Sequence, residues 1–100
     1  MARRHRYWID NEADYVAIRA IVGANSHFPE KYSAWIGLAT KRLADMERSG
    51  WRIEKVDVRP KEFIRYCDRN GLDRSVANLN GFAIAKAHNQ DAIMESNTHG

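Results

Sequence analysis

Apolar residues recur every three or four positions over most of the chain, the spacing at which side chains line one face of an α-helix. The pattern predicts four helices, over residues 11–24, 29–48, 60–70 and 73–88. It is clearest in the second helix, which Pro29 is expected to begin and Gly50 to end. The apolar stripe predicted for this helix comprises Tyr32, Trp35, Ile36, Ala39, Leu43 and Met46.

Polar residues mark where two of the other helices are expected to begin. Asp10 or Asn11 can cap the first helix, because a side-chain oxygen at that position accepts a hydrogen bond from a free first-turn amide. Asp73 is the predicted cap of the fourth helix for the same reason. The predicted apolar face of the first helix comprises Val16, Ala17, Ala20, Ile21 and Ala24, with Ile18 beside it.

One segment, residues 51–58, has the composition of a β-strand between a glycine and a proline. Its apolar residues change face between Ile53 and Val56. This change of phase predicts either a β-bulge there or a regular strand confined to residues 55–58.

A strand needs a partner for its backbone amides and carbonyls, and three arrangements are open. The strand can pair with residues 4–9 of its own chain, with its copy in a second chain, or with nothing if it is an extended connector. We favour residues 4–9, because Tyr7 and Ile9 would offer an apolar face already present in the chain.

These elements predict an α+β fold that is predominantly α. One hundred residues suffice for one modest core. We expect a single globular domain over residues 1–88. From residue 89 the chain turns polar, which predicts a mobile C-terminal tail over residues 89–100.

Composition narrows the classes of function. The chain contains no apolar run of about 18 residues, so we expect no membrane partner. Cys67 is the one cysteine, which rules out an internal disulfide and favours a cytoplasmic location. The net charge is +3, and eleven of the sixteen basic residues are arginine. Guanidinium groups bind phosphates and carboxylates in a bidentate manner.

No motif in the sequence indicates catalysis. The four histidines are not spaced as metal ligands, and Cys67 falls on the apolar face of a predicted helix, where a buried structural thiol is expected. We therefore predict no catalytic residue, no metal and no cofactor, and lean towards a protein that is not an enzyme.

Basic residues near aromatic ones are the candidate contacts for an anion or a nucleic acid. At the N-terminus, arginines alternate with Tyr7 and Trp8, a mixture that can stack on bases or anchor a partner. The candidate contact residues are Arg3, Arg4, Arg6, Lys55, Arg59 and Arg74.

Residues 55–87 are predicted to form a strand, a helix beginning at Pro60, a turn at Gly71 and a second helix. In this order and in approximate lengths the segment resembles the ribbon-helix-helix DNA-binding proteins. The resemblance implies that two chains pair their strands, with Val56 and Val58 in the dimer core. The residues it would place against DNA are Lys55, Asp57 and Arg59 in the major groove and residues 73–75 at phosphate.

The leading hypothesis from the sequence is a small non-catalytic domain that acts by binding an unidentified macromolecule or by self-association. A homodimer and a nucleic acid are the candidate partners. The first alternative is a DNA-binding regulator of the ribbon-helix-helix type. The second is a small-ligand-binding protein or a small enzyme without a recognisable site.

Overall fold

The fold consists of a two-stranded sheet and four helices. The computed structural model describes the backbone of residues 3–23 and 27–98 and the side chains of residues 3–23 and 27–89. In chain order the elements are β1 (Arg3–Trp8), α1 (Glu12–Val22), α2 (Tyr32–Arg48), β2 (Arg52–Asp57), α3 (Pro60–Asn70) and α4 (Val76–Thr98). The predicted α+β class, predominantly α with four helices, is confirmed.

The two strands pair with each other, and they run parallel. The register places Arg3 opposite Arg52 and Trp8 opposite Asp57 without interruption, and the Val58 amide donates to the Trp8 carbonyl at 3.0 Å. Parallel neighbours need a long crossover connection, and here α1 and α2 supply it. The prediction that residues 51–58 pair with residues 4–9 is confirmed. The predicted bulge is wrong, because the register continues through Glu54 and Lys55. The alternative, a regular strand confined to residues 55–58, is also wrong, because β2 already begins at Arg52.

Each strand and the residues directly after it contribute two apolar residues to the core. Tyr7 of β1 and Ile9 beyond its end lie beside Val56 of β2 and Val58 beyond its end, and all four are buried. Helix α4 packs against both strands. The Asn80 amide oxygen accepts a hydrogen bond from the Tyr7 amide at 3.4 Å, so this helix also covers part of the edge of β1.

Helix α1 begins as predicted but buries a different face. Asn11 caps it, since its side-chain oxygen accepts from the Asp14 amide at 2.8 Å. The buried residues are Tyr15 and Ile18, whereas Val16 is 59% exposed. The predicted face is therefore only partly right: Ile18 and Ile21 do pack on the core, but Tyr15 takes the place predicted for Val16. The reason is that the Tyr15 ring fills the core while its hydroxyl donates to the Pro29 carbonyl.

Helices α2 and α4 begin later than predicted. Helix α2 starts at Tyr32, not at Pro29. Helix α4 starts at Val76, and its cap is Ser75, whose hydroxyl accepts from the Asn78 amide at 3.2 Å. The predicted cap at Asp73 is wrong, because residues 72–75 form the connection from α3.

The end of α4 also differs from the prediction, because the helix continues to Thr98, ten residues beyond residue 88. The side chains beyond residue 89 lie outside the described part of the chain. A domain over residues 1–88 with a mobile tail over residues 89–100 therefore stays a prediction. Across the described residues, no helix combines the length and the apolar character needed to cross a bilayer.

Candidate functional site

An aromatic cluster surrounds Trp35 of α2, whose side chain is 5% exposed. The cluster is anchored by hydrogen bonds from hydroxyls to the backbone: Tyr32 donates to the Ile9 carbonyl at 2.7 Å. The distances from the Trp35 ring centre to neighbouring ring centres are 5.1 Å for Trp8, 5.6 Å for Tyr15, 6.0 Å for Tyr32, 6.4 Å for Tyr7 and 6.5 Å for Phe28.

A cavity of about 420 Å³ opens beside this cluster. Its lining comes from β1, from the segment that joins α1 to α2, from α2 and from the start of α4. The volume lies within the range of about 300–1,000 Å³ typical of small-molecule sites. The aromatic residues in the lining are Tyr7, Trp8, Phe28 and Trp35.

Two arginines provide the positive charge of the cavity. Arg6 of β1 and Arg42 of α2 both contribute to the lining, together with the polar side chains of His27 and Ser75. No acidic residue contributes to the lining in the described part of the chain. Neither arginine forms an ion pair with a described carboxylate, so the described side chains leave the positive charge of the cavity uncompensated.

The pKa of the Tyr7 phenol responds both to burial and to the positive charge of the cavity. Burial raises the pKa of its phenol, because the phenolate would lose hydration. The positive charges of Arg6 and Arg42 oppose that rise. The guanidinium carbon of Arg6 lies 5.8 Å from the centre of the Tyr7 ring. Both guanidinium groups therefore belong to the electrostatic environment of this phenol.

Further positive charge lies on the sheet face that carries Arg6. Side chains alternate between the two faces of a strand, so Arg4 shares the face of Arg6, and Lys55 lies opposite Arg6 in the register. Each of these cations stacks on a tryptophan: Arg4 lies 4.3 Å from the centre of the Trp51 ring, and Lys55 lies 4.1 Å from that of Trp8.

Three of the six predicted contact residues therefore lie on one face, namely Arg4, Arg6 and Lys55. The other three are engaged by carboxylates elsewhere. Their ion pairs are Arg3 with Glu54 at 3.4 Å, Arg59 with Asp14 at 3.2 Å and with Asp57 at 3.0 Å, and Arg74 with Asp68 at 3.2 Å. Contact of any of the six with an anion stays a prediction.

The strand arrangement implied by the ribbon-helix-helix resemblance differs from the one observed. Strand β2 pairs with β1 of its own chain. Val56 and Val58, which the resemblance assigns to a dimer core, are 7% and 0% exposed within the single chain. Their apolar surface is thus already covered without a second chain.

A smaller, polar hollow of about 180 Å³ lies between the sheet and the middle of α4. It holds His5, whose Nε2 lies 3.2 Å from a carboxylate oxygen of Glu54, and Lys86, whose ammonium donates to the Asp57 carbonyl at 2.7 Å. The described residues contain no group of side chains arranged to hold a metal ion. In this hollow, His5 and Lys86 pair with another side chain or with the backbone. The described side chains form no recognisable catalytic or binding site there.

Cys67 is buried, as the sequence predicted. Burial raises the pKa of its thiol, because the thiolate would be desolvated. The sulfur lies 3.7 Å from the Asp73 carbonyl. This environment is that of a structural thiol, since a reactive cysteine needs a lowered pKa and access to solvent.

Sequence reasoning missed most of the cavity lining, and Phe28, Leu38 and Arg42 are three examples. Phe28 lies in the connection before α2, where no periodicity applies. Leu38 is 57% exposed, and Arg42 follows it by one helical turn on the same face. The sequence did contain one signal for these two residues. On the polar side of the amphipathic helix, an apolar side chain lies one turn from an arginine.

Comparisons of the chain with protein-family models, with curated proteins and with solved structures gave no match.

Proposed function

We propose that this protein binds a small amphipathic anion, with the apolar body of the ligand in the cavity and its charged group against Arg6 and Arg42. The observation that carries the proposal is the lining: four aromatic rings and two guanidinium groups, with no acidic residue among the described ones. The protein would act as a binding protein, which was one of the alternatives drawn from the sequence.

Both halves of such a ligand would gain free energy in this cavity. Aromatic side chains favour flat or apolar bodies, and ring pairs contribute about 0.5–1.5 kcal/mol beyond the area they bury. Hydrogen bonds to a charged group contribute about 1.5–3 kcal/mol. A guanidinium group matches the planar fork of a carboxylate or two oxygens of a phosphate.

Two features favour a ligand group that enters the cavity over association through β2 or the outer surface alone. The first is that the cavity is concave and largely apolar, which is typical of sites for small molecules. The second is that β2 already has a partner strand, so self-association through that strand is not needed to satisfy it. A macromolecular partner, a homodimer and a cytoplasmic location all stay predictions.

The proposal is tested by thermal unfolding with matched pairs of ligands. Each pair has the same apolar body with and without the negative charge, such as phenyl phosphate with phenol, indole-3-acetate with indole, and uridine monophosphate with uridine. At tenfold excess over its Kd, a ligand stabilises the fold by about 1.4 kcal/mol. For a chain of this size that raises Tm by about 5–10 °C. We expect such a rise for at least one anion and for none of the neutral partners.

Variants locate the effect in the cavity. Arg42→Gln is expected to weaken binding about 10- to 100-fold, because it removes a charge-assisted hydrogen bond. Arg48→Gln is the matched control: it lies on the same helix but pairs with Asp45, and it is expected to leave binding unchanged. Equal losses in both variants, or no stabilisation by any anion, would refute the proposal.

A further inference from the structure

We infer that the ligand is a nucleotide unit of a single-stranded nucleic acid, whose base enters the cavity while its backbone follows the cationic face of the sheet from Arg6 towards Lys55 and Arg4. This inference rests on the proposed function, since it names the chemical class of the ligand. It also assigns a role to a surface that a free small molecule would leave unused.

The cations on this face form a short row that begins at the cavity. Arg6 contributes to the cavity lining. Arg4 lies two residues earlier on the same strand, and alternate residues of a strand are about 7 Å apart. Lys55 lies opposite Arg6 on the neighbouring strand. None of the three is paired with a carboxylate among the described side chains, so all three charges remain available to phosphates.

Aromatic rings accompany the cations along the row. Trp8 belongs to the cavity and carries Lys55 over its ring, while Trp51 lies outside the cavity and carries Arg4 over its ring. Binding sites for single strands combine a positive track for the backbone with rings on which bases stack. Because Arg4 and Lys55 are exposed, either side chain can swing from its ring to a phosphate.

The shape of the site distinguishes a single strand from other anionic partners. The faces of bases in a duplex are covered by stacking, so a duplex cannot place a base into a cavity without unpairing it. A run of acidic side chains, as in polyglutamate, would meet the cations but has no flat body for four aromatic rings. A fatty acid would fill the cavity but would leave Arg4 and Lys55 without a role.

The test compares uridine monophosphate with a short oligouridylate by fluorescence titration over a series of salt concentrations. We expect the oligonucleotide to bind at least about tenfold more tightly at low salt, because it adds further phosphates and a second stacked base. For the oligonucleotide, the logarithm of the binding constant falls linearly with the logarithm of the salt concentration. In the Arg4→Gln/Lys55→Gln double variant the magnitude of this slope should fall by about 1.4, because two phosphates of the single strand are no longer neutralised. The affinity for uridine monophosphate should change less than about twofold, because neither residue lines the cavity.

Two control variants distinguish the contribution of the cationic sheet face from that of the cavity. Arg52→Gln removes an exposed cation from β2 on the opposite face, and it should leave the oligonucleotide affinity unchanged. Ala39→Phe fills the cavity from α2 and should weaken both ligands. Circular dichroism verifies that each variant is folded.

Each contrary outcome has a distinct meaning. If uridine monophosphate binds as tightly as the oligonucleotide, the inference is overturned while the proposed small-ligand function stands. Equal binding of duplex DNA or polyglutamate overturns it in favour of an unspecific cationic surface. If the oligonucleotide binds but neither uridine monophosphate nor any other small anion raises Tm, then the proposed function fails and the inference fails with it.

Discussion

Replacing Trp35 by alanine is expected to remove about 3–5 kcal/mol from the free energy of unfolding, the typical cost of a buried tryptophan truncation. The residue is 5% exposed and packs among the rings of Tyr7, Trp8, Tyr15, Phe28 and Tyr32. It joins β1, α1 and α2, so its removal weakens the packing of three elements at once.

The magnitude follows from the buried area. A tryptophan buries up to about 250 Å², and at about 25 cal/mol per Å² this amounts to about 6 kcal/mol. The alanine that replaces it keeps part of this area, and compact unfolded chains reduce the figure by about 10–40%. What remains is close to the range measured for such substitutions. A domain with a total stability of about 5–15 kcal/mol would lose a large share of it.

The assay is equilibrium unfolding in urea, followed by far-ultraviolet circular dichroism. Trp51→Ala is the matched control, because Trp51 is half-buried and its ring is covered by the Arg4 guanidinium. A cation stacked on an exposed ring contributes about 0.5–1 kcal/mol, so the control should lose far less stability. A loss under about 1 kcal/mol for Trp35→Ala, or equal losses for both variants, would refute the packing described above.

Three further predictions concern other parts of the fold. Ser75→Ala should cost about 1 kcal/mol of stability as the loss of a helix cap, whereas Asp73→Ala should cost less than half of that; the opposite order in urea unfolding would restore Asp73 as the cap. Burial raises the pKa of the Tyr15 phenol, so the folded state retains a proton that the unfolded chain loses above about pH 10. The free energy of unfolding should therefore fall as the pH rises beyond that value and fall less steeply in Tyr15→Phe, and a flat profile in the unmodified protein would contradict this. Burial also raises the pKa of the Cys67 thiol, so Ellman's reagent should react with it slowly until urea unfolds the chain, and rapid reaction in the folded state would show that the thiol is accessible.

Local periodicity predicted the elements whose buried face is built from large apolar residues. The stripe of α2 is an example, since Trp35 and Leu43 are both buried there. In α1 the same reasoning placed Ile18 and Ile21 correctly but turned Val16 inwards instead of Tyr15. It weighted several alanines equally with bulky side chains and left out Tyr15, which buries a far larger area and satisfies its hydroxyl at the Pro29 carbonyl.

The pairing of β1 with β2 could be predicted from the apolar residues that each strand offers. The bulge was wrongly predicted because Trp51 and Ile53 were expected to point inwards on the same face as Val56 and Val58. In the structure Ile53 stays half-buried on the face opposite Val56, so the strand needs no break in its register to cover both residues.

The cavity itself could not be predicted from local pattern. Arg6 and Trp8 belong to the basic, aromatic N-terminus that the sequence pattern marked as a candidate contact, but Arg42 and Phe28 lie far from them in sequence. Only the tertiary packing brings these segments together around Trp35. The candidate site is therefore a product of topology, and its charge becomes evident only when the arginines of β1 and α2 are found in the lining of one cavity.

The most direct test of the proposed ligand site uses the indole N–H signals of the three tryptophans in proton–nitrogen NMR spectra. Trp8 and Trp35 contribute to the cavity lining and Trp51 does not. During titration with an anion that raises Tm, the account predicts that the signals of Trp8 and Trp35 shift with a common Kd while that of Trp51 stays in place. A shift of Trp51 alone, or no shift of Trp8 and Trp35, would contradict binding in the cavity.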